Sequence, residues 1–293
     1  MLATARREVP LAEARLLLAH VTQQQPVWLL THDECALTPV QTEHYFSLIG
    51  RRLAGEPMAY LLGYREFYGR CFSVAAGVLI PRPETELLVD VAIQTLATKV
   101  GADEPTKQQG GRAKDARIKV ANGGTAQVLD LGTGSGCIAI SIALELPAAN
   151  VTGIDASAQA LAIAGHNAHA LHATVTLLES DWFAALGTQR FDLIVSNPPY
   201  IAERDPHLEQ GDLRHEPATA LASGHDGLTA IRRIVAVAPQ HLLPGAALWL
   251  EHGYDQGDAV RELLRQRGFT QVASQRDLAN IERISGGVWY EQP

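Results

Sequence analysis

The sequence lacks the features that mark secreted, membrane-spanning and many metal-binding proteins. Its three cysteines, Cys35, Cys71 and Cys137, are too few and too scattered for a disulfide framework or a cysteine-based zinc site. No apolar run approaches the roughly 20 residues that span a bilayer. The N-terminal stretch also has no apolar signal-peptide core. We therefore expect a cytoplasmic protein in a reducing compartment, with no membrane partner.

Positive charge is also scarce. The 293 residues carry a formal net charge of −8, and the Lys and Arg residues form no obvious cluster. A protein that binds free duplex through its phosphates usually has a basic footprint, because counterion release drives such binding. The charge balance therefore favours a protein substrate over free nucleic acid. We expect the chain to act as a monomer.

The most informative stretch is an apolar run at 191–195, which is followed by Ser196 and then by Asn197, Pro198, Pro199 and Tyr200. The run is typical of a buried parallel strand, and the prolines end it because they cannot donate to a sheet ladder. Asn and Tyr would then lie at the carboxyl edge of a sheet. In open α/β sheets this edge is where ligands bind.

These four residues suit a planar group that bears an NH₂. The Asn197 side-chain oxygen and the Pro198 carbonyl offer two acceptors, and the Tyr200 ring offers a flat apolar face. Accepting both hydrogens would draw the nitrogen lone pair out of conjugation and make it nucleophilic. We predict catalytic roles for Asn197, Pro198 and Tyr200, with Pro199 in the substrate site. The alternative is an ordinary strand end with a capping Asn.

A glycine-rich turn at 128–140 supports ligand binding. Its pattern indicates a strand, a turn with Gly132, Gly134 and Gly136, and then a helix. Cys137 stands where a dinucleotide fingerprint would carry its last glycine, and no Lys-Ser/Thr pair follows. Both the NAD and the phosphate-loop interpretations are therefore weakened. A plain strand-to-helix turn remains the alternative.

Acidic residues end the next two predicted strands. Asp155 follows 151–154 and is placed to accept the ribose hydroxyls of a nucleoside, although it could also cap the helix that follows. Asp181 and Trp182 follow a third strand at 175–178 and suit adenine, with core packing as the alternative for Trp182.

Together these motifs resemble the class I S-adenosylmethionine-dependent methyltransferases that modify planar amino groups. Within that group, the Asn-Pro-Pro-Tyr form is similar to the release factor glutamine methyltransferases, the PrmC/HemK family. The resemblance covers nearly the whole chain, and further matching stretches lie at 56–63, 79–86, 216–221 and 226–228.

The resemblance implies the fold, the methyl donor and the substrate. The fold is α/β, a seven-stranded Rossmann-like methyltransferase sheet with a small N-terminal helical domain. The donor is S-adenosylmethionine, and the substrate is the glutamine amide of the Gly-Gly-Gln motif in peptide chain release factors. The positions that match the family's cofactor-binding motifs are Gly132, Thr133, Gly134, Ser135, Gly136, Asp155, Asp181, Trp182 and Asn197.

Two charged residues near the start of a helix are further substrate-site candidates. In the family the stretch that holds Arg82 and Glu84 borders the active site. Pro and acidic residues are also typical of a helix start, so a capping role is the alternative.

The resemblance and the residue patterns together predict the domain boundaries. Residues 1–70 would form a helical substrate-recognition domain, and 71–83 a hairpin linker that turns at 75–77. The methyltransferase domain would occupy 84–293, closed by a late antiparallel strand pair. Within it, 98–126 is rich in Gly, Lys, Gln, Asp and Ala, and we predict a mobile insertion there.

We predict no metal site. His166, His169 and His172 recur every three residues on a predicted helix, but no carboxylate or Cys completes a ligand set.

Three other functions remain open from the residues. A DNA or ribosomal-RNA amino-methyltransferase would use the same four residues on adenine or guanine. A dehydrogenase shares the fold, and a non-catalytic binding module would leave Asn197 to Tyr200 unexplained.

Overall fold

The described part of the chain begins with a group of helices. A computed structural model describes residues 9–100 and 124–291, without the side chains of 98–100. Most of the predicted insertion at 98–126 lies outside the described residues. The first helices are α1 Leu11–Thr22, α2 Trp28–Thr31, α3 Pro39–Leu53 and α4 Met58–Leu62.

Local sequence explains where α3 begins. The Thr38 side chain accepts from the Gln41 backbone N–H at 3.2 Å, and the Gln41 side chain accepts from the Thr38 N–H at 3.0 Å. This reciprocal capping satisfies two N–H groups that the first turn leaves without partners. Pro39 occupies the first helical position, where its missing N–H costs nothing.

The helices share a small apolar core. Leu17 and Tyr45 are fully buried, and Leu48 is nearly so. Tyr45 donates its hydroxyl to the Ala14 carbonyl at 3.2 Å, so that α1 and α3 are joined by a hydrogen bond as well as by packing.

A hairpin follows, but it is not where the sequence predicted it. Strands β1 Tyr64–Phe67 and β2 Arg70–Ser73 pair antiparallel around Tyr68 and Gly69, which both have positive φ. This two-residue turn matches strand twist, yet a Tyr in it gives no sequence signal. The predicted turn at 75–77 in a 71–83 linker is therefore wrong, because burial of Phe67 and Phe72 sets the register.

Within the described residues 124–291, seven strands form one sheet: β3 Gln127–Leu131, β4 Asn150–Asp155, β5 Thr176–Glu179, β6 Phe191–Ser196, β7 Leu242–Glu251, β8 Thr270–Arg276 and β9 Glu282–Trp289. Their order in the sheet is β5-β4-β3-β6-β7-β9-β8. Strands β3 to β7 pair with one another in parallel, and β9 runs antiparallel to both β7 and β8. The predicted α/β methyltransferase fold is confirmed.

Helices cover both faces of this sheet. Successive strand residues point to opposite faces, so Val128 joins one apolar layer and Leu129 the other. Leu193 and Ile194 divide in the same way. The helices are α5 Glu86–Val100, α6 Cys137–Glu145, α7 Ala158–Ala170, α8 Ala218–Leu221, α9 Thr229–Val237 and α10 Gly257–Arg267.

The order of the parallel strands fixes the place of the site. The chain builds β3, β4 and β5 outward in one direction and then returns to add β6 on the other side of β3. Such a reversal opens a crevice at the carboxyl ends of the strands, and ligands of open α/β sheets bind there. No helix in the described part of the chain is both long and apolar enough to cross a membrane.

The helical core supplies a stability test. Leu17→Ala should lower the free energy of unfolding by about 2–5 kcal/mol, because it opens a cavity in a closed core. Leu16 adjoins it in sequence but is 40% exposed, so Leu16→Ala should cost less than about 1 kcal/mol. Urea unfolding of both variants measures the difference. Equal losses would contradict the packing described for α1.

Candidate active site

The glycine turn joins β3 to α6. One of its glycines allows close packing, and the other two leave open space. Gly132, Gly134 and Gly136 all have positive φ, between 56° and 82°. A Cβ on Gly136 would lie 2.7 Å from Ile140 and 3.1 Å from the Ala164 Cβ, so this glycine allows close packing. At the other two positions a Cβ would meet nothing nearer than 3.9 Å. The first half of the turn therefore leaves room for a ligand.

Asp155 lies at the end of β4 beside this turn. One carboxylate oxygen accepts from the Gly134 N–H and the other from the Ser157 N–H, both at 2.9 Å. Ser157, rather than Asp155, caps α7 by accepting from the Ala160 N–H at 3.2 Å. The Asp155 carboxylate is thus held at the cavity, and each oxygen keeps further accepting capacity.

The polar side chains within the turn face inward. Thr133 and Ser135 are buried, and the Thr133 hydroxyl donates to Asp130 at 2.7 Å. Neither side chain is among those that line the cavity. They shape the turn from behind, whereas the predicted cofactor contacts of Gly132 and Gly134 lie at its open side.

Asp130 is a site residue to which the sequence analysis assigned no role. It is fully buried near the end of β3, and one of its oxygens accepts from Thr133 and from the Ala139 N–H. Burial raises the pKa of this carboxyl to about 7, and these hydrogen bonds oppose the rise. The sequence did contain one sign of this role, namely a single acidic residue inside an otherwise apolar strand.

Asp181 and Trp182, which follow β5, both border the cavity. The Trp182 ring lies beside the glycine turn, 3.9 Å from where a Gly132 Cβ would be. The Asp181 carboxylate instead forms a two-bond ion pair with Arg233 of α9, at 2.9 and 2.7 Å, and is exposed. Trp182 is therefore better placed than Asp181 to contact a ligand in the cavity.

The Asn-Pro-Pro-Tyr segment leaves β6 at the same edge. The Ser196 hydroxyl donates to the Leu131 carbonyl at 2.7 Å and joins the ends of β6 and β3. Asn197 and Pro199 line the cavity, and Pro198 is buried behind them. Tyr200 donates its hydroxyl to Glu251 at 3.2 Å, and burial raises its pKa.

The Asn197 carboxamide has a defined orientation. Its Nδ2 donates to the Thr85 hydroxyl at 3.1 Å. Thr85 belongs to a short 3₁₀ turn, Pro83–Thr85, immediately before α5. The Asn197 oxygen is therefore the end of the group left to accept from a ligand.

Arg82 and Glu84 do not line the cavity. Arg82 pairs with Glu216, whose side chain is fully buried and which also accepts from the Ile80 N–H at 2.9 Å. Burial raises the pKa of Glu216, and the Arg82 guanidinium opposes this rise. In this structure Arg82 thus anchors the loop that holds Glu216.

That loop forms one wall of a cavity of about 400 Å³, a size typical of small-ligand sites. Two of its walls, 77–79 and 217–220, were not predicted as site residues. Residue 79 begins one stretch that carries the family resemblance, and 217–220 lies within another. Among the described residues no group of three or more His, Cys, Asp or Glu is placed to hold a metal ion. The cavity is lined by Gly77, Val78, Leu79, Gly132, Gly134, Asp155, Ala156, Ser157, Ala160, Ser180, Asp181, Trp182, Asn197, Pro199, Pro217, Thr219 and Ala220.

Comparison with known proteins gives the family. Residues 1–63 match the PrmC N-terminal domain, and residues 117–216 match the methyltransferase small domain. The release factor glutamine methyltransferase of Bordetella pertussis is 52% identical over 280 residues, which is 95% of each chain. That of Escherichia coli K12 is 39% identical and covers 97% of this chain and 94% of its own.

The chain belongs to the release factor glutamine methyltransferase family.

This membership confirms the resemblance inferred from the motifs and identifies the chain as an enzyme, against a dehydrogenase or a binding module. A solved methyltransferase from Pyrococcus furiosus supports the fold alone. It is 15% identical, with a TM-score of 0.51 over 83% of this chain and 98% of that one.

The Arg82–Glu216 pair in this family member gives a pH-dependent prediction. In Arg82→Gln the buried carboxylate loses its countercharge, so its folded-state pKa rises further above the unfolded value. The folded state then holds a proton that the unfolded state releases, and stability falls as the pH rises past the ordinary Glu range. Thermal unfolding should show that the variant loses about 1–3 kcal/mol of its free energy of unfolding near pH 8, and less than this near pH 5.

Arg51→Gln is the matched control. Arg51 pairs with Glu56 on the surface, with side-chain exposures of 49% and 27%. Its loss should cost less than about 1 kcal/mol. If Arg82→Gln lost the same free energy of unfolding at both pH values, the role of Arg82 as the countercharge of the buried Glu216 would be contradicted.

Proposed function

We propose that this chain transfers a methyl group from S-adenosylmethionine to the side-chain amide nitrogen of the glutamine in the Gly-Gly-Gln motif of peptide chain release factors. The observation that carries the proposal is the Asn197 carboxamide, anchored through its nitrogen to Thr85 and thus presenting an oxygen acceptor at the cavity. The names of the relatives supply the substrate.

The cavity fits the methyl donor. The open positions at Gly132 and Gly134 give room for a nucleoside against the backbone, and the Asp155 carboxylate beside them suits ribose hydroxyls. The Trp182 ring offers a surface for the base. We assign these residues to binding, with Thr133, Ser135 and Gly136 holding the turn in shape. When bound, S-adenosylmethionine supplies an electrophilic methyl group on a positively charged sulfur.

The polar end of the site acts on the amide nitrogen. An amide is a poor nucleophile because its lone pair is delocalised into the carbonyl group. The Asn197 oxygen accepts one of its hydrogens, and we assign the other to the Pro198 carbonyl. Held in this way, with the Tyr200 ring along its plane, the nitrogen lone pair is directed to the donor. The N–CH₃ bond would form as the S–CH₃ bond breaks, S-adenosylhomocysteine would leave as a neutral thioether, and the surplus proton on the nitrogen would pass to water. Positioning of this kind is worth about 7–11 kcal/mol over free encounter.

The N-terminal helices are proposed to recognise the release factor. Arg52 joins α3 to α1 through Glu13 at 2.7 Å and reaches Asp212, in the loop leading to the cavity wall, at 3.4 Å. Arg214 of the same loop donates to the Ala54 carbonyl at 3.3 Å. Hydrogen bonds to 212–214 therefore connect the recognition helices to the wall at 217–220.

A substrate that acts in translation implies a cytoplasmic location.

The direct test is labelled methyl transfer to a purified release factor. We expect the label on the wild-type factor and none on a factor whose Gly-Gly-Gln glutamine is replaced by Ala. DNA and ribosomal RNA should remain unlabelled in parallel reactions. Labelling of a nucleic acid without labelling of the factor would overturn the proposal and support an amino-methyltransferase of nucleic acids.

Asn197→Ala should mainly lower kcat. Loss of one hydrogen bond that strengthens in the transition state predicts a fall of about a hundredfold, with little change in KM. Steady-state kinetics with the release factor measure both constants. Asn150→Ala, at an exposed position of β4, should match the wild type. A weaker KM with unchanged kcat would show that Asn197 only binds the substrate.

Asp155→Asn should weaken binding of S-adenosylmethionine. The substitution keeps the side-chain volume but removes the charge, and a hydrogen bond to a charged group is worth about 1.5–3 kcal/mol, or roughly tenfold or more in affinity. Titration calorimetry measures the dissociation constant. Asp258→Asn changes a side chain that is 97% exposed and should bind as the wild type does. Wild-type affinity in Asp155→Asn would remove this residue from the donor site.

A further inference from the structure

One wall of the cavity has no regular secondary structure. It belongs to the segment 75–80, which lies between β2 and the 3₁₀ turn before α5, outside any helix or strand. Residues 77–79 of this segment line the cavity. The Val78 Cγ1 is 4.0 Å from where a Cβ on Gly134 would lie, so the segment adjoins the open side of the glycine turn. Its position therefore helps to set the width of the cavity.

Side chains from three other parts of the chain bond to the backbone of this segment. The Tyr60 hydroxyl, on α4, donates to the Val78 carbonyl at 2.6 Å. The Gln159 side chain, on α7, donates to the Ala76 carbonyl at 2.8 Å. The third bond is the one described above, in which Glu216 accepts from the last N–H of the segment. A segment without helix or strand bonds depends on such anchors for its conformation.

The turn of the segment lies between the first two anchors. Gly77 has a φ of 97°, which residues with a Cβ rarely adopt. A Cβ at this position would lie 2.7 Å from Gln159 Oε1, so the Gln159 side chain packs directly on the Gly77 backbone. The bonds at Ala76 and Val78 flank this glycine in sequence and hold the turn between them.

Tyr60 connects the N-terminal helices to the cavity. It lies on α4, within the residues 1–63 that match the PrmC N-terminal domain. The function proposed above gives these helices only a role in recognising the release factor. The bond from Tyr60 to Val78 runs instead from these helices to a residue that lines the cavity.

The ring and the hydroxyl of Tyr60 have separable roles. The ring packs against a small buried cluster of Ala59, Val74 and Ile80. The hydroxyl has a single hydrogen, which it donates to the Val78 carbonyl. Burial raises the pKa of Tyr60, so the hydroxyl keeps this hydrogen at neutral pH. Removal of the hydroxyl alone would therefore free the Val78 carbonyl and leave the packing of the ring in place.

We propose that Tyr60 is a positioning residue for S-adenosylmethionine, so that the N-terminal helices take part in donor binding as well as in recognition. The proposal rests on the donor site assigned above. Tyr60 acts through Val78, by holding residues 77–79 in place at the cavity before the donor arrives. Without the bond the donor would have to order this wall as it binds, and that ordering lowers affinity. Asn197 and Pro198 follow β6 instead, so the chemical step should not depend on Tyr60.

Tyr60→Phe tests this role, because it keeps the ring and removes only the hydroxyl. Titration calorimetry should show a dissociation constant for S-adenosylmethionine that is about fivefold higher, as expected for the loss of one hydrogen bond. In steady-state kinetics, KM for the donor should rise by a similar factor, while kcat at saturating donor should stay within about twofold of the wild-type value. Tyr64→Phe is the matched control, because Tyr64 is 43% exposed, and it should bind the donor as the wild type does.

Thermal unfolding separates positioning from a purely structural role. If Tyr60→Phe unfolded at a lower temperature but bound S-adenosylmethionine with wild-type affinity, Tyr60 would only support the fold and the proposal would be overturned. A wild type whose donor affinity depends on Tyr60 in the expected way, but which does not methylate the release factor, would instead overturn the proposed function alone.

Gln159→Ala gives a second test of the segment. It removes the bond to the Ala76 carbonyl and should weaken donor binding about threefold. Gln266→Ala, on α10, is the control, since Gln266 bonds Glu262 at 2.9 Å far along the chain from the segment. If Gln159→Ala weakened donor binding and Tyr60→Phe did not, the wall would be held from α7 alone and the role of Tyr60 would be refuted.

Discussion

The parallel pairing of β3 with β4 on one side and with β6 on the other is the constraint on which the site depends. Because of this pairing, the ends of three strands lie at one edge of the sheet, which carries the glycine turn after β3, Asp155 at the end of β4 and Asn197 after β6. The Ser196 hydroxyl, bonded to the Leu131 carbonyl at 2.7 Å, ties two of these strand ends together. The groups proposed to bind and to react are far apart in sequence, and they are therefore held at or beside the ends of rigid strands, as precise positioning requires.

The same edge carries buried acids that each stabilise a neighbouring segment. Asp130 holds the glycine turn, Glu216 holds the wall of the cavity, and Glu251 accepts a hydrogen bond from Tyr200 of the Asn-Pro-Pro-Tyr segment. A buried carboxylate is costly unless hydrogen bonds satisfy it, so each one strongly favours a single arrangement of the groups around it. The groups that bond to these acids belong to the turn, the wall and the segment that surround the cavity, so the stability of this edge and the shape of the cavity are linked.

The sequence predicts those parts of the fold that depend on local pattern. The apolar strand β6, the glycine turn and the acid at the end of β4 all lie where the spacing and the turn residues predict them. The hairpin was misplaced because Tyr68 adopts a positive φ that its residue type does not indicate. The partners of Arg82 and Asp181 lie 134 and 52 residues away, so only the folded chain shows these pairs. Glu251 was not predicted as a site residue because no motif contains it. Only the pairing of β7 with β6 places it beside the Asn-Pro-Pro-Tyr segment.

The central claim is that this sheet edge presents an oxygen acceptor from Asn197 to an amide nitrogen. A crystal structure of the enzyme with S-adenosylhomocysteine and a Gly-Gly-Gln peptide measures this most directly. The account predicts that the glutamine side-chain nitrogen lies about 3 Å from both Asn197 Oδ1 and the Pro198 carbonyl, with Asn197 Nδ2 still bonded to Thr85. A glutamine bound elsewhere, or an Asn197 carboxamide that turns its NH₂ to the glutamine nitrogen, would contradict it.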